Sequence, residues 1–446
     1  MNPERSNGHV LIRGGRVLDP GNGVDRVADV LVRDGVVAGV GDGLEADGAR
    51  LIDASGCVVA PGFIDLHAHL REPGFEQKGT IATETRAALE SGFTTICAMP
   101  NTNPAPDSGP VVESLLRRIA SDARVRVLPI GCVTRRREGR ELADLSELAA
   151  AGCIAFSDDG SPVADGRTMR NALALAGALG LPISEHCDDP QLSADGVINE
   201  GVVSERLGLP GQPAAAEITA IARNIALCEA SGGRLHLAHV TTARGLELVA
   251  DAKARGLPVT CEVTPSHLFL TEDAVFGNRR EAAYDTNAKI NPPLRTEADR
   301  QALIAGVNSG LVDAIATDHA PHAIEDKLCE FDFAAFGISC FDTALGTLMT
   351  QVERGELRLE RVIAALTAGP AGAFRIAERV AGAGTLTSGL AGDLVVFDPL
   401  ERWTVDTARF ASKGKNSPLN GVELLGRVRA VVIGGEVVHS AEVAHA

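Results

Sequence analysis

Between about residues 56 and 375, short apolar runs alternate with stretches of helical periodicity that end in glycine or another small residue. A β-length run followed by a helix-length one, repeated, is the pattern of βα units on a parallel sheet. The runs at 58–67, 94–99, 126–132, 153–157, 182–186, 235–240, 258–263 and 312–317 are the predicted strands. Stretches at 80–90, 141–150, 215–230, 243–254 and 297–307 are predicted helices in the gaps. Eight such units predict an α/β fold of the closed (β/α)8 TIM type rather than an open doubly wound sheet. No Gly-x-Gly-x-x-Gly follows the first run, which removes support for a dinucleotide site.

The ends of the chain read differently. Residues 11–18 and 431–438 are β-rich runs, each broken by Gly-Gly, which predicts a tight hairpin at Gly14-Gly15 and another at Gly434-Gly435. Further strand-like pieces at 30–32, 36–40 and 394–397, with turn signals at Asp34-Gly35 and Gly392-Asp393, complete a small β module built from both termini. The predicted division is 1–56 with 380–446 as the composite β module, and 57–379 as the catalytic barrel. Residues 268–289 form a long, charged segment, expected either as a mobile lid or as partly disordered.

Composition narrows the partners. Lys and Arg number 42 against 59 Asp and Glu, a formal charge of −17, which disfavours nucleic acid and anionic membrane surfaces. The start lacks the apolar core of a signal peptide, and no apolar stretch approaches membrane-spanning length. Nine scattered cysteines without a CxxC pair suit a reducing cytoplasm. An anionic substrate would need a local basic pocket.

Ligand-type residues gather at the ends of the predicted strands. His67 and His69 close the first, Asn101 follows the second, Asp158 and Asp159 the fourth, His186 the fifth, His239 the sixth, and Asp318 with His322 the eighth. In a barrel these ends share the C-terminal rim, where active sites form. The spacing of two in His67-Ala68-His69 turns both imidazoles to one face, which suits chelation of a divalent ion. No lysine lies between Lys78 and Lys253, so the carboxylated lysine that bridges two metals in some enzymes of this architecture is excluded, and Asp158 or Asp159 supplies a carboxylate instead. His186 and His239 would complete an imidazole-rich second site. His236, three residues before His239, should face the opposite way and is expected to be structural.

Asp318 beside a metal-activated water can ligate, accept a proton, or do both, which favours hydrolysis over redox chemistry. Zinc suits these donors, with manganese and cobalt as alternatives. Arg71 and His322 are candidates for holding a substrate carboxylate, Arg71 by a bidentate fork. Asn101 and Asn291 lie in Pro-rich loops where asparagine also serves purely local turns.

These motifs resemble dihydroorotase. The matching stretches are Asp65-Leu66-His67-Ala68-His69-Leu70-Arg71-Glu72-Pro73-Gly74, Gly92-Phe93-Thr94-Thr95 with Met99-Pro100-Asn101-Thr102, Asn291-Pro292-Pro293-Leu294-Arg295, and Ala316-Thr317-Asp318-His319-Ala320-Pro321-His322 followed by Lys327. The chain is similar to the bacterial type I enzymes of the amidohydrolase superfamily over nearly its whole length. The resemblance implies reversible cyclisation of N-carbamoyl-L-aspartate to L-dihydroorotate in pyrimidine (UMP) synthesis, with one or two Zn2+ per subunit. By that resemblance His67 and His69 hold the first metal, Asp159 bridges, His186 and His239 hold the second, and Asp318 is both ligand and proton shuttle. His69, Arg71, Asn101, Asn291, His322 and the backbone at Phe336 and Gly337 match the substrate contacts. A homo-oligomer and an association with aspartate transcarbamoylase stay open. Segment 76–80 is less acidic than the family pattern. The rivals are a hydantoinase, dihydropyrimidinase or allantoinase on the same barrel, and a catalytically silent scaffold for aspartate transcarbamoylase.

Overall fold

Each of the eight apolar runs supplies a strand of one parallel sheet. In the computed structural model, which describes residues 9–45, 47–277 and 284–441, these strands are Phe63–Ala68, Phe93–Ala98, Arg126–Gly131, Ala155–Phe156, Pro182–Glu185, Arg234–Leu237, Val259–Val263 and Ala314–Ile315, paired in sequence order. The last returns to the first through a parallel bridge between Ala68 and His319, where the His69 N–H donates to the His319 carbonyl at 2.9 Å. The barrel is thereby nearly closed, and the ends of strands one and eight, which carry His67, His69 and Asp318, lie side by side.

Helices fill the crossovers. All five predicted ones form, at Ile81–Glu90, Leu145–Ala151, Ala214–Ser231, Ala243–Ala254 and Glu297–Ser309. Thr80, Thr242 and Thr296 cap three of them with side-chain oxygens that accept backbone N–H groups of the first turn. Helices at Gly109–Asp122, Gly166–Ala178 and Phe341–Glu353 were not anticipated. The first two open on Gly109-Pro110 and Gly166, residues that read locally as turn signals although proline at the first turn suits a helix start.

The predicted first strand, 58–67, divides at Gly62. Val58–Pro61 pairs antiparallel with Leu394–Thr404 and parallel with His9–Asp19, whereas Phe63–Ala68 joins the barrel. A Cβ at Gly62 would sit 2.2 Å from Thr94 Oγ1, so the chain changes sheets at a residue without a side chain.

The second sheet draws on both ends of the chain. Its order is Glu436–Ser440, Glu423–Ile433, Leu394–Thr404, Val58–Pro61, His9–Asp19, Val24–Arg33 and Val36–Gly41, with Arg50–Asp53 also pairing to His9–Asp19. Gly434-Gly435 makes the predicted hairpin. Gly14-Gly15 does not. It is a bulge inside the single strand His9–Asp19, where the Gly14 N–H donates to Asp29 Oδ1 at 3.0 Å and a Cβ on Gly15 would meet Val59 at 2.5 Å. Gly15 is required by close packing against the neighbouring strand, and Gly14 by its left-handed φ of +71°, not by a reversal of the chain. Phe63 contacts Phe93 and Phe397 with ring centroids 5.8 and 5.9 Å away, joining barrel and terminal sheet through one aromatic cluster.

Of segment 268–289, residues 278–283 lie outside the described residues. Lys289 at its end is buried and donates to the carbonyls of Phe331 and Asp332 at 2.8 and 3.0 Å. Among the described residues no helix is long and apolar enough to cross a membrane.

Candidate active site

The strand ends bring His67, His69, Asp159, His186, His239 and Asp318 into one buried cluster. His67 Nε2 lies 3.4 Å from Asp159 Oδ1 and 3.5 Å from Asp318 Oδ1. His69 Nε2 lies 3.1 Å from Asp318 Oδ1 and 3.6 Å from Asp159 Oδ2. On the other side of Asp159, its Oδ1 is 3.5 Å from His239 Nε2 and 3.7 Å from His186 Nδ1. The donor atoms of His67, His69 and Asp318 all fall within 4.8 Å of one another, and so do those of His67, Asp159 and His239.

Two observations test whether a cation fits. His67 Nε2 and Asp159 Oδ1 are buried, face each other and have no hydrogen-bond partner, an arrangement that costs free energy unless something between them is shared. The donor set of imidazoles and carboxylates is also the one borderline divalent ions prefer. The residues fit a metal.

Of the two adjacent carboxylates left open by the sequence, Asp158 is committed elsewhere. It accepts from the Val133 and Thr134 N–H groups at 2.8 and 3.1 Å and from the Thr134 hydroxyl. Asp159 alone faces the cluster. Strand alternation does not separate His236 from His239, because the sixth strand ends at Leu237 and His239 follows with φ +31°. His239 thus turns to the rim while His236 also points inward, with Nε2 3.0 Å from Glu262 Oε2. His236 remains outside the cluster itself.

A cavity of about 180 Å³ opens on the cluster. Its wall includes His69, Arg71, Asn101, Asn291, Phe336 and Gly337, together with Gly160 and Ala320, which the sequence reading gave no place in the site. Arg71 has φ +65°, and its Nε donates to the Pro321 carbonyl at 3.1 Å, aiming the guanidinium across the mouth. Asn101 Oδ1 accepts from His69 Nδ1 at 2.8 Å, so its amide N–H groups remain for a ligand. Asn291 Nδ2 lies 3.4 Å from His186 Nε2. Gly337 donates its N–H to the Lys289 carbonyl at 2.9 Å, and a Cβ there would lie 2.7 Å from the Ala320 Cβ. His322 sits behind the wall, with Nε2 2.8 Å from the Phe336 carbonyl and 3.4 Å from Arg71 Nη2.

With this geometry in hand, comparison with known proteins is decisive. The family profile described as dihydro-orotase-like matches residues 56–244. The chain is 49% identical to a dihydroorotase of Anaeromyxobacter sp. (strain K) over 96% of its own length and 98% of the relative's. It is 45% identical to a dihydroorotase of Citrifermentans bemidjiense over 97% of its length and 100% of the relative's. The chain belongs to the dihydroorotase family. Among solved structures it is similar to an L-hydantoinase (dihydropyrimidinase) from Arthrobacter aurescens, with TM-score 0.85 and 26% identity, covering 97% of this chain and 96% of that one. A D-hydantoinase (dihydropyrimidinase) from Thermus sp. superposes with TM-score 0.81 at 26% identity over 97% and 96% of the two chains. The protein is a metal-dependent cyclic amidohydrolase on a (β/α)8 barrel.

The electrostatics suit that chemistry. Burial works against the charged form of His67, but Asp159 and Asp318 hold its imidazole well above the usual value. Burial likewise opposes ionisation of Asp318, yet His67 and His69 keep its carboxyl below the usual range. Arg71 is pushed down to about 10 by burial and stays charged at neutral pH. His322 falls to about 3 through burial and the charges of Arg71, Lys78 and Lys327, so it is neutral.

Two residues that support the site escaped the sequence reading. Glu262, buried in Val259–Val263, accepts from His67 Nδ1 at 2.7 Å and orients that imidazole. A carboxylate inside an apolar strand was the available signal. Asn416 reaches the cavity wall from the terminal module, and nothing local in the sequence marks it.

Proposed function

We propose that the protein catalyses the reversible ring closure of N-carbamoyl-L-aspartate to L-dihydroorotate, the dihydroorotase step of de novo pyrimidine (UMP) synthesis. One observation carries this reading: the His/Asp cluster opens on a cavity whose far wall presents the Arg71 guanidinium. Dihydroorotate bears a ring carboxylate for that guanidinium, whereas unsubstituted hydantoin and dihydrouracil do not. A basic residue inside a chain of charge −17 is also what an anionic substrate needs.

In this reading His67, His69 and Asp318 would hold one divalent ion, His186 and His239 would hold another, and Asp159 would serve both. Zinc is the ion we favour, with one or two per subunit. When bound, the ion polarises the amide carbonyl as a Lewis acid and lowers the pKa of water at the site toward about 7. Asp318 takes up the proton released in hydrolysis and passes it to the departing ring nitrogen; in ring closure it moves the proton the other way. Arg71 grips the substrate carboxylate through its fork, with His322 backing it from behind the wall, Asn101 and Asn291 orienting the ring, and the Phe336 and Gly337 backbone shaping the wall. His69 supports both metal and substrate.

The same reading divides the chain into a catalytic barrel, 57–379, and a composite β module, 1–56 with 380–446, in a cytoplasmic enzyme. A homo-oligomer, or a complex with aspartate transcarbamoylase, would be read from native mass with and without that enzyme. The functional test is turnover of L-dihydroorotate, hydantoin, dihydrouracil and allantoin beside elemental analysis of the purified protein. Dihydroorotate should be turned over fastest, by metal-loaded protein. Faster hydrolysis of hydantoin or dihydrouracil would overturn the substrate assignment.

A further inference from the structure

The segment at 410–418, between the long strands Leu394–Thr404 and Glu423–Ile433, leaves the terminal sheet and lies against the loops of the barrel mouth. Its contacts there are specific. Ser412 Oγ donates to Glu84 Oε2 at 2.6 Å, the oxygen that also receives His319 Nε2 at 2.7 Å, and the Lys413 N–H donates to Glu84 Oε1 at 3.1 Å. Gly414 lies so close to Pro321 that a Cβ would come within 2.5 Å of the proline Cβ. Lys415 Nζ folds back on the carbonyls of Phe410 and Ser412 at 2.6 and 2.8 Å, fixing the bend of the segment.

Asn416 is the centre of the contact. It is buried, and its side chain uses both polar atoms on two separate loops. Oδ1 accepts the His322 N–H at 2.9 Å, while Nδ2 donates to the carbonyls of Ala320 and Gly337 at 3.0 and 2.9 Å. Its own carbonyl accepts the Ser339 N–H at 2.8 Å. Ala320 and Gly337 line the cavity, and the intervening Pro321 offers the carbonyl that orients Arg71. A bridge between His319 and Ile338, with the Ala320 N–H donating to the Ile338 carbonyl at 2.9 Å, already joins the two loops on one side; at 320–322 and 336–337 neither is helix or strand, and the Asn416 side chain supplies the bonds there.

We infer that residues 412–417 form a positioning strap by which the terminal module sets the substrate-carboxylate grip: Asn416 joins the loops at 320–322 and 336–337, and Gly414 lets the strap press on Pro321 and thereby aim Arg71. The inference rests on Arg71 as the carboxylate grip. Removing the Asn416 amide leaves two carbonyls and one N–H buried without partners, and the loops must shift or admit water to satisfy them. Small displacements of a binding group from its working position are costly in rate or affinity. The metal cluster makes no contact with Asn416, so the strap acts on binding.

The test compares Asn416→Ala and Asn416→Asp with the wild type, metal-loaded and full length. Aspartate keeps the acceptor for the His322 N–H but sets oxygen against the two carbonyls, so it should be the worse of the two. Expected is a rise in KM for L-dihydroorotate of about tenfold or more, with kcat within about threefold and metal content unchanged. An unchanged KM in both folded variants overturns the strap, and so does a parallel loss of kcat and bound metal, which would make it a general prop. If neither variant folds, Lys415→Met, which loosens only the bend, replaces them: a KM increase of about two- to threefold supports the strap and no increase overturns it. Should wild-type protein fail to turn over dihydroorotate, the substrate reading falls, and amide exchange decides the strap separately. Faster exchange confined to 320–322 and 336–339 in Asn416→Ala supports it; exchange indistinguishable from wild type overturns it.

Discussion

Replacing Glu262 with glutamine asks how strongly one buried carboxylate governs the cluster. Burial opposes ionisation of Glu262, but hydrogen bonds from His236 and His67 outweigh it and hold the group well below its usual 4.5. As a carboxylate it accepts from both imidazoles, at 2.7 Å from His67 Nδ1 and 3.0 Å from His236 Nε2. When a cation displaces the Nε2 proton of His67, the remaining proton is thereby kept on Nδ1, and the Nε2 lone pair faces the side of Asp159 and Asp318. Glutamine has the same shape but one acceptor and one donor. With its oxygen toward His67, the amide N–H meets His236 Nε2, which must move its proton to Nδ1 and donate to Thr260 Oγ1, 2.8 Å away. With the amide reversed, His67 must carry its proton on Nε2 and loses the lone pair a cation needs. Either way, two bonds to a charged acceptor, worth about 1.5–3 kcal/mol each, become neutral ones of about 0.5–1.5. Allowing for partial compensation from burying one charge fewer, the net loss is about 1–3 kcal/mol, or roughly 5- to 150-fold. That agrees with the ~10- to 100-fold loss typical when the partner behind a metal-binding histidine is removed. Chelator competition measures the metal affinity, thermal unfolding in excess metal checks the fold, and kcat at saturating metal checks the chemistry. Because Glu262 titrates lower folded than unfolded, its stabilisation is present above 4.5 and lost on acidification, so work at pH 7–8 reads it in full. Metal affinity equal to wild type in a folded variant would refute the argument.

Asp318→Asn keeps the shape but cannot take a proton; kcat should fall by ~10²–10⁴ in both directions with the fold intact, and near-normal rates would remove the shuttle role. Arg71→Met deletes a buried guanidinium and should raise KM for dihydroorotate by about 30-fold or more, on a loss of about 2–5 kcal/mol, with kcat less affected; an unchanged KM would count against the grip. Lys78→Met removes a cation 3.3 Å from His322 Nδ1 and leaves Asp326 Oδ2, also 3.3 Å away, to pair with that nitrogen. The His322 value should then climb from about 3, so that on acidification the ring gains charge and KM for the anionic substrate falls in the variant alone. Superimposable KM–pH curves would show that Lys78 does not control this histidine.

Much of the site could be read from short stretches of chain. Eight apolar runs of strand length announced the barrel, and the spacing of His67 and His69 placed two imidazoles on one face. The Asp318 loop, with its proline and following histidine, was recognisable for the same reason. Other choices depended on partners far away. Asp159 rather than Asp158 faces the cluster because Val133 and Thr134, 25 and 24 residues from Asp158, saturate that carboxylate. His236 and His239 both turn inward because the strand stops between them, and Gly14-Gly15 is a bulge in which Gly14 takes a left-handed φ and Gly15 leaves room for Val59.

Periodicity and residue spacing are properties of neighbouring residues, so the barrel, its rim and the His67–His69 pair are legible in the sequence alone. Which acid meets the cation, where a strand gives way to a turn, and which amide ties the mouth together are settled by packing between distant segments. Asn416, 94 residues from His322, shows why: burial and hydrogen-bond satisfaction are balances over the folded chain, and no local window contains both partners.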